Sequence, residues 1–431
     1  MAKPVRGIGT RRTSLERLSN TWKTYPRQFW LLVAGMLVDS VGTSMVWPFL
    51  LIYMRQRLGV PLSTVASLFA LQSAVGLVSL SIAGQMIDRF GRKGAMLFGL
   101  AASSARLFVM STAGTLPMWA GLMALGGMVG SLYRVAGDVM VADLVEPEQR
   151  AGAYALLRTV HNLGVAIGPS IGGLVASSSY ALALYLAGSA QAAVALLILL
   201  FVSETVPQAQ MEVWAGNESR RGYGQLVRDR RFLGFCSVSI LAMISYSLMM
   251  ILFPVYAKDN FRIPESQFGL ILTTNAAMVV LFQFPTTRIT QRYRHLPVLA
   301  VGSLFYALGV GSVAWGRNFP TFLASMVILT IGEMIMIPTS TALTADLAPP
   351  DARGRYMSVY SMAWAAAFGI GPVLGGILND KVAPVAIWYG GMVMASAAAL
   401  GFMLVAMTIP SCNSAAAVPL HQPRTTTRNG L

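Results

Sequence analysis

Two carboxyls sit where water is scarce. Asp39 falls in the middle of an apolar run near 29–53, and Glu333 in the middle of another near 320–344, within Gly332-Glu333-Met334-Ile335-Met336-Ile337-Pro338. An ionised acid at the centre of a bilayer costs ~2.5–3.5 kcal/mol, so such a residue faces a cavity or a partner. A carboxyl placed there can hold a proton or a cationic group, but not easily both. That competition is a sufficient physical basis for exchange. Structural pairing is the rival reading: Asp39 could instead pair with Arg158 or Arg106, which also lie in apolar runs. Arg158 and His161 lie beside Asn162 in the run near 152–176. Histidine titrates near neutral pH, so His161 is either a proton-relay member or a hydrogen-bonded interior residue. Arg134 and Asp138 are four apart on one helix and read as a self-neutralising pair.

Other chemistries find no support in the residues. No Walker sequence occurs, so ATP is not the energy source and no cofactor is expected. His161, His295 and His421 are too scattered for a metal site, and two Cys exclude a disulfide scaffold or a Cys-based metal cluster. No polar cluster resembles a catalytic triad, so the chain is not expected to be an enzyme. There are 25 Met, and the run near 232–256 carries Met243, Met249 and Met250 with Tyr246 and Phe253. Methionine is flexible and polarizable and suits a surface that accepts several apolar shapes. Met243, Tyr246, Met250 and Met336 are therefore candidate cavity residues, with packing or lipid contact as the alternative.

The elements that must position these groups follow from composition. Of 431 residues, 55% are hydrophobic and only 11% charged, with a mean hydropathy of +0.61. That excludes a disordered chain and leaves too few charges to cover a water-facing surface. Twelve apolar runs are long enough for helices that span a bilayer. They lie near 29–53, 63–86, 94–112, 117–142, 152–176, 180–202, 232–256, 266–287, 296–315, 320–344, 355–378 and 384–408. The first run is too long for a signal peptide and no small-residue cleavage site follows it. Most of the 32 Lys and Arg residues fall in the tails and in the loops on the tail side of these spans. Only Arg55, Arg57, Lys258, Arg262, Arg317 and Lys381 fall in the opposite loops. The asymmetry places both termini in the cytoplasm and accounts for the net charge of +15 without a nucleic-acid partner. The organisation read from this is a basic tail 1–28, six spans over 29–202, a polar linker 203–231, six spans over 232–408 and a tail 409–431 expected to be disordered. Tyr223 to Phe232 could form a short interfacial helix with Leu226 and Phe232 facing lipid, or simply a solvated linker.

One offset relates the two halves. Ala142-Asp143-Leu144, Pro147 and Arg150 match Ala345-Asp346-Leu347, Pro350 and Arg353, each 203 residues on. The same offset carries Gly168-Pro169 and Gly172-Gly173 onto Gly371-Pro372 and Gly375-Gly376, Arg89 onto Arg292, and Phe29 onto Phe232. Six spans per unit, both entering from the same side, make a parallel repeat about an axis along the membrane normal. Two such halves can rock about a midplane cavity. Asp39 maps to Ala242 and Glu333 to Gly130, so the scaffold does not dictate these acids.

Between the second and third spans lies Gly84-Gln85-Met86-Ile87-Asp88-Arg89-Phe90-Gly91-Arg92-Lys93. Gly84 permits close helix approach and Gly91 a tight turn. Asp88 among three cations can latch one conformation, or the segment is an ordinary positive turn. The fifth span carries Gly164, Gly168-Pro169 and Gly172-Gly173, a flat face for a neighbouring helix.

With the twelve spans and the repeat, these residues resemble the major facilitator superfamily over about 28–408. The resemblance implies an all-α membrane protein of twelve transmembrane helices in two six-helix bundles. It implies a latch in which Asp88 binds the start of helix eleven and Arg92 meets a helix-four acid, Asp143 or Asp138, with Gly84, Arg89, Gly91 and Lys93 completing the motif. It places helices one, four, seven and ten, hence Asp39 and Glu333, around the cavity. The Gly-Pro pattern in helix five resembles that of exporters working by proton exchange, and Glu333 resembles the acid of multidrug exporters. An Arg often found in helix four, four residues before a glycine, is missing: Leu122 precedes Gly126 at that spacing. The implied function is export of lipophilic cationic or neutral compounds against protons, by a monomer in a bacterial inner membrane, with Asp39, Glu333, His161 and Arg158 as coupling residues. The alternative is a dedicated carrier of one sugar, peptide or lipid.

Overall fold

Long apolar runs with few helix breakers favour helices whose backbone groups are all satisfied internally, which a bilayer requires. The computed structural model describes residues 25–205, 229–349 and 352–408, except for the side chains of 81–85, 88 and 408. The helices are α1 (Arg27–Leu58), α2 (Leu62–Phe90), α3 (Arg92–Thr112), α4 (Leu116–Val129), α5 (Leu132–Leu144), α6 (Arg150–Ser178) and α7 (Tyr180–Phe201) in the first half. The second half has α8 (Arg230–Phe261), α9 (Glu265–Thr290), α10 (His295–Ser312) with a 3-10 turn Val313–Trp315, α11 (Phe319–Leu347), α12 (Arg353–Lys381) and α13 (Ala386–Thr408). Among the described residues there is no strand. Local chemistry sets the ends. Gly59 stops α1 in the left-handed region, Asn318 and Thr321 form a capping box on α11, and the Asp229 carboxylate accepts from the amides of Arg231 and Phe232 to open α8.

Eleven helices among the described residues, counting α4 and α5 as one, are long and apolar enough to cross a membrane. The helix α6 is equally long but is diluted by Arg158, His161 and Asn162. The expected run near 117–142 is interrupted: α4 and α5 meet at Gly130 and Ser131, where three glycines (126, 127, 130) weaken helix propensity. The interfacial helix expected over Tyr223–Phe232 lies mostly outside the described residues. Its last member is a correction: Phe232 is fully buried against Phe235 and Tyr356, so it does not face lipid.

The repeat survives contact by contact. A Cβ on Gly168 would meet Ser44 and the Val41 carbonyl, and one on Gly371 would meet Ser247 and the Ile244 carbonyl, each partner 203 residues on. Gly172 abuts Met45 as Gly375 abuts Leu248. Gly173 lies on the start of α9 and Gly376 on the start of α2. Within the first half α1 packs on α6 and α7, and α3 on α5 and α7. Within the second, α8 packs on α12 and α13, and α10 on α11 and α13. The halves meet through α2 with α12, α6 with α9, and α1 with α8.

Those meetings concentrate on the face away from the chain termini. There Arg55 pairs with Asp259, and Glu265 accepts from Tyr180 and Lys258. Both oxygens of Asp380, at the end of α12, accept from backbone amides opening α2, those of Leu62 (3.3 Å) and Ser63 (2.8 Å). Trp47 meets Phe368, and Phe49 meets Phe268, just inside this seal. Further in along the same seam, the Thr273 hydroxyl bonds Ser170 (2.6 Å) and the Ala166 carbonyl (3.0 Å). The structure is thus closed at the far face, and exposed polar residues on the termini half, among them Arg158, His161, Thr341 and Ser361, mark the side on which the cleft opens.

Candidate functional site

Glu333 sits at the centre of α11, half-buried. The Asn275 amide donates to its Oε2 at 2.7 Å and to the Thr330 hydroxyl at 2.8 Å. The Tyr246 hydroxyl is directed at the same carboxyl. Around it, Tyr246 stacks on Tyr306 (ring centroids 5.5 Å apart) and meets Trp364 edge-on at 5.8 Å and Phe368 at 6.1 Å. No cation pairs with Glu333 among the described residues. The site is a carboxylate set in an aromatic wall, a combination that attracts organic cations by charge and by ring quadrupole.

Asp39 is held differently. The Gln191 amide of α7 donates to its Oδ1 at 3.0 Å, and the Tyr133 phenol of α5 lies close enough to feel its charge. Among the described residues Asp39 has no ion pair with Arg158 or Arg106. Next to it, Ser40 and His161 share a hydrogen bond at 2.9 Å. The glycines of α6 make this possible: Gly164 abuts Ser40, so α6 brings His161 to α1. Arg106 sits elsewhere, its guanidinium carbon 2.9 Å from where a Cβ on Gly126 would stand, with its Nε buried and without a hydrogen-bond partner among the described residues. The glycine before the helix break leaves room for it. The pairing of Arg134 with Asp138 is likewise absent as a close ion pair, although the two charges influence each other.

On the termini face a second cluster ties the loop motif together. Arg92 Nε donates to Asp143 at 3.2 Å, and the Thr205 hydroxyl donates to the same carboxylate at 2.9 Å. Between the two acids left open by the sequence, the contact goes to Asp143; Asp138 instead sits where its backbone carbonyl accepts from Tyr154. The pair recurs 203 residues on, His295 with Asp346 at 3.7 Å. Lys93 donates to the Leu199 carbonyl at 2.9 Å, and Arg89 is exposed beside the Phe90 ring. The side chain of Asp88, the residue at Gly84 and the loop residues 350–351 lie outside the described residues, and with them the expected contact to the start of helix eleven.

Glu204 is a residue that sequence reasoning missed. Its carboxylate accepts from the backbone amides of Arg92 (3.2 Å) and Lys93 (2.9 Å), capping α3 from the end of α7. Gly91, at φ +78°, leaves room for it. The signal was faint: an acid three residues after α7 ends, just past an apolar run and indistinguishable from any linker charge.

For three of the four candidate cavity residues the packing alternative fits the burial. Met243, Met250 and Met336 are buried, and Met336 packs on Gly302 and Ser303 of α10. They fill gaps within the second half, where an unbranched chain fits irregular space. Tyr246, directed at Glu333, is the exception.

Comparison with known proteins agrees with this architecture. The model of the Major Facilitator Superfamily matches residues 32–258 and 235–425. The Na(+), Li(+), K(+)/H(+) antiporter of Planococcus maritimus is 24% identical over 398 residues, 85% of this chain and 91% of that protein. Multidrug resistance protein MdtH of Aeromonas hydrophila is 25% identical over 359 residues, 81% and 87%. The crystal structure of the nucleoside transporter NupG superposes with a TM-score of 0.76 at 12% identity, covering 88% of this chain and all of that one, a likeness of fold. Two packed groups of helices, a cleft between them and a family match through both halves lead to one conclusion: this chain belongs to the Major Facilitator Superfamily and is a multi-pass membrane transporter of small molecules.

Proposed function

We propose that this transporter exports lipophilic compounds bearing a cationic group, in exchange for protons, by alternating access. The observation that carries this reading is Glu333. It is a carboxylate at mid-helix, bonded by Asn275, faced by Tyr246 and walled by aromatic rings, with no cation beside it among the described residues. A free carboxylate at this depth needs an occupant, and proton and cationic cargo compete for it. Asp39, which accepts only from a neutral amide, is the second exchangeable acid, with His161 one bond away through Ser40. Relatives named as a multidrug resistance protein and as a cation/proton antiporter support exchange of a cation. The rings favour an organic cation over a metal ion, which would ask for several oxygen ligands.

Both termini lie in the cytoplasm on this reading, since the basic residues crowd that face. The described state then binds cargo from the cytoplasm; Arg92 already meets Asp143 in it, so latching of the opposite state falls to Asp88. The test uses inverted vesicles and tetraphenylphosphonium. Glu333→Gln should leave a folded protein whose uptake no longer follows an imposed pH gradient. Uptake with the wild-type gradient dependence would show that Glu333 does not couple.

A further inference from the structure

Two exposed arginines, Arg158 and Arg134, are not used by the exchange as argued from Glu333 and Asp39. The helix α6 has four sides. Gly164, Gly168 and Gly172 meet α1; Pro169, Ser170 and Gly173 meet α9; Leu163, Ile167 and Ile171 are exposed on the lipid side. The remaining sector lies between α1 and α9 and faces the cleft. At about 100° per residue, Arg158 falls in that sector, within roughly 20° of Val165. Both are exposed. Arg158 has neither hydrogen bond nor ion pair among the described residues. Arg134 of the adjacent α5 is exposed too, and near enough to His161 to act on its charge. Asp138, one turn along the same helix, is close enough for its charge and that of Arg134 to interact.

Both arginines lie about 12–15 Å along their helices from the termini face, well inside the span. A water-exposed guanidinium at that depth is tenable only in an aqueous cleft. The opposite wall does not mirror them: the positions 203 residues on are Ile337 and Ser361, and His161 maps to Trp364. The two exposed arginines thus lie on the first half alone, beside the acids Asp39 and Asp138 of that half, while Glu333 stands on the second.

We propose that Arg158 and Arg134 form an anion subsite, so that the transported compound is amphoteric, pairing a cationic group with Glu333 and a carboxylate or similar oxyanion with the arginines. Guanidinium groups suit this task because their donors match an oxyanion in a fixed fork. The inference rests on the reading of Glu333 as the acid that takes the cationic group. Each half then holds one end of the cargo, and closure around both ends links cargo to movement.

The test compares two dyes of one ring system by fluorescence anisotropy with the purified full chain. Rhodamine 110 is a zwitterion with a free carboxylate; rhodamine 123 is its methyl ester and carries only the cation. The wild type should prefer rhodamine 110 by about tenfold, the size of one charge-assisted hydrogen bond. Arg158→Gln should collapse that preference toward one, and Arg134→Gln should lower it. Arg158→Lys keeps the charge without the fork and should fall between. Glu333→Gln should weaken both dyes while the preference for the carboxylate persists. Equal binding of the two dyes by the wild type, or a preference that survives both glutamine variants, overturns the anion subsite. Binding of both dyes that ignores Glu333→Gln instead overturns the reading of Glu333. Absence of binding by either dye counts against both. Should Arg158→Gln fail to fold, Arg134→Gln and Arg158→Lys still decide the question.

Discussion

Single side chains show how position gives an ordinary residue its role. Glu333 is one of 17 acids, yet its setting between an amide and aromatic rings separates it from the rest. Asn275 orients it, so Asn275→Leu should leave the carboxyl less fixed and weaken binding of tetraphenylphosphonium several-fold, about the loss of one hydrogen bond to a charged group. Equilibrium binding to the purified protein reads this directly. Glu204 illustrates the opposite case, a residue whose place in the sequence hides its task. It caps α3 through the amides of Arg92 and Lys93 only because Gly91 has no side chain and takes a positive φ. Gly91→Ala should cost about 1–3 kcal/mol, because its extended backbone at positive φ is open essentially to glycine alone. Much of that loss should overlap with Glu204→Ala, because both remove the same cap. A double-mutant cycle on thermal unfolding checks this; full additivity would mean that the two act independently.

Helices meet here through glycines, and the same residue type serves two purposes. Gly168 and Gly172 fasten α6 to α1 inside one half. Gly376 lets α12 cross α2 between halves, since a Cβ there would stand 2.7 Å from the Ser63 Cα. Gly168→Val should therefore lower the thermal midpoint of the whole protein, because an overpacked helix contact costs about 1–3 kcal/mol. Gly376→Val should preserve the fold but disfavour the closed far face. A cysteine at Ser73, beneath the α2–α12 crossing, should then react faster with a membrane-impermeant maleimide applied to the far face. The small-residue spacing was legible as a packing seam, but not its partners: spacing marks a flat face and leaves the neighbouring helix unspecified. The break between α4 and α5 was not legible, because a run of apolar residues with three glycines reads as one span.

At the scale of the whole molecule, the far-face seal sets which side is open. It consists of Arg55 with Asp259, Glu265 with Lys258 and Tyr180, and Asp380 on the opening amides of α2. The α2 cap joins an acid of one half to a helix N-terminus of the other, where the dipole favours an anion. Asp380→Asn together with Arg55→Gln should shift the closed-to-open ratio at the far face by roughly fivefold or more, at about 1 kcal/mol for such exposed contacts. Spin labels on Arg57 and Lys381 should show a growing long-distance population. An unchanged distance distribution would mean that the apolar contacts beneath hold the face shut alone. What the sequence by itself determined was the class, the spans and the repeat, because hydropathy over twenty residues and a fixed offset of 203 are properties of the chain in one dimension. Only the tertiary structure decided that Arg92 meets Asp143, that Asp39 is held by Gln191 rather than by an arginine, that the methionines are core, and that one face is closed. Each depends on which helix lies beside which, and residues as far apart as Arg92 and Asp143 (51 positions) or Asp39 and Gln191 (152) carry no local signal of that meeting.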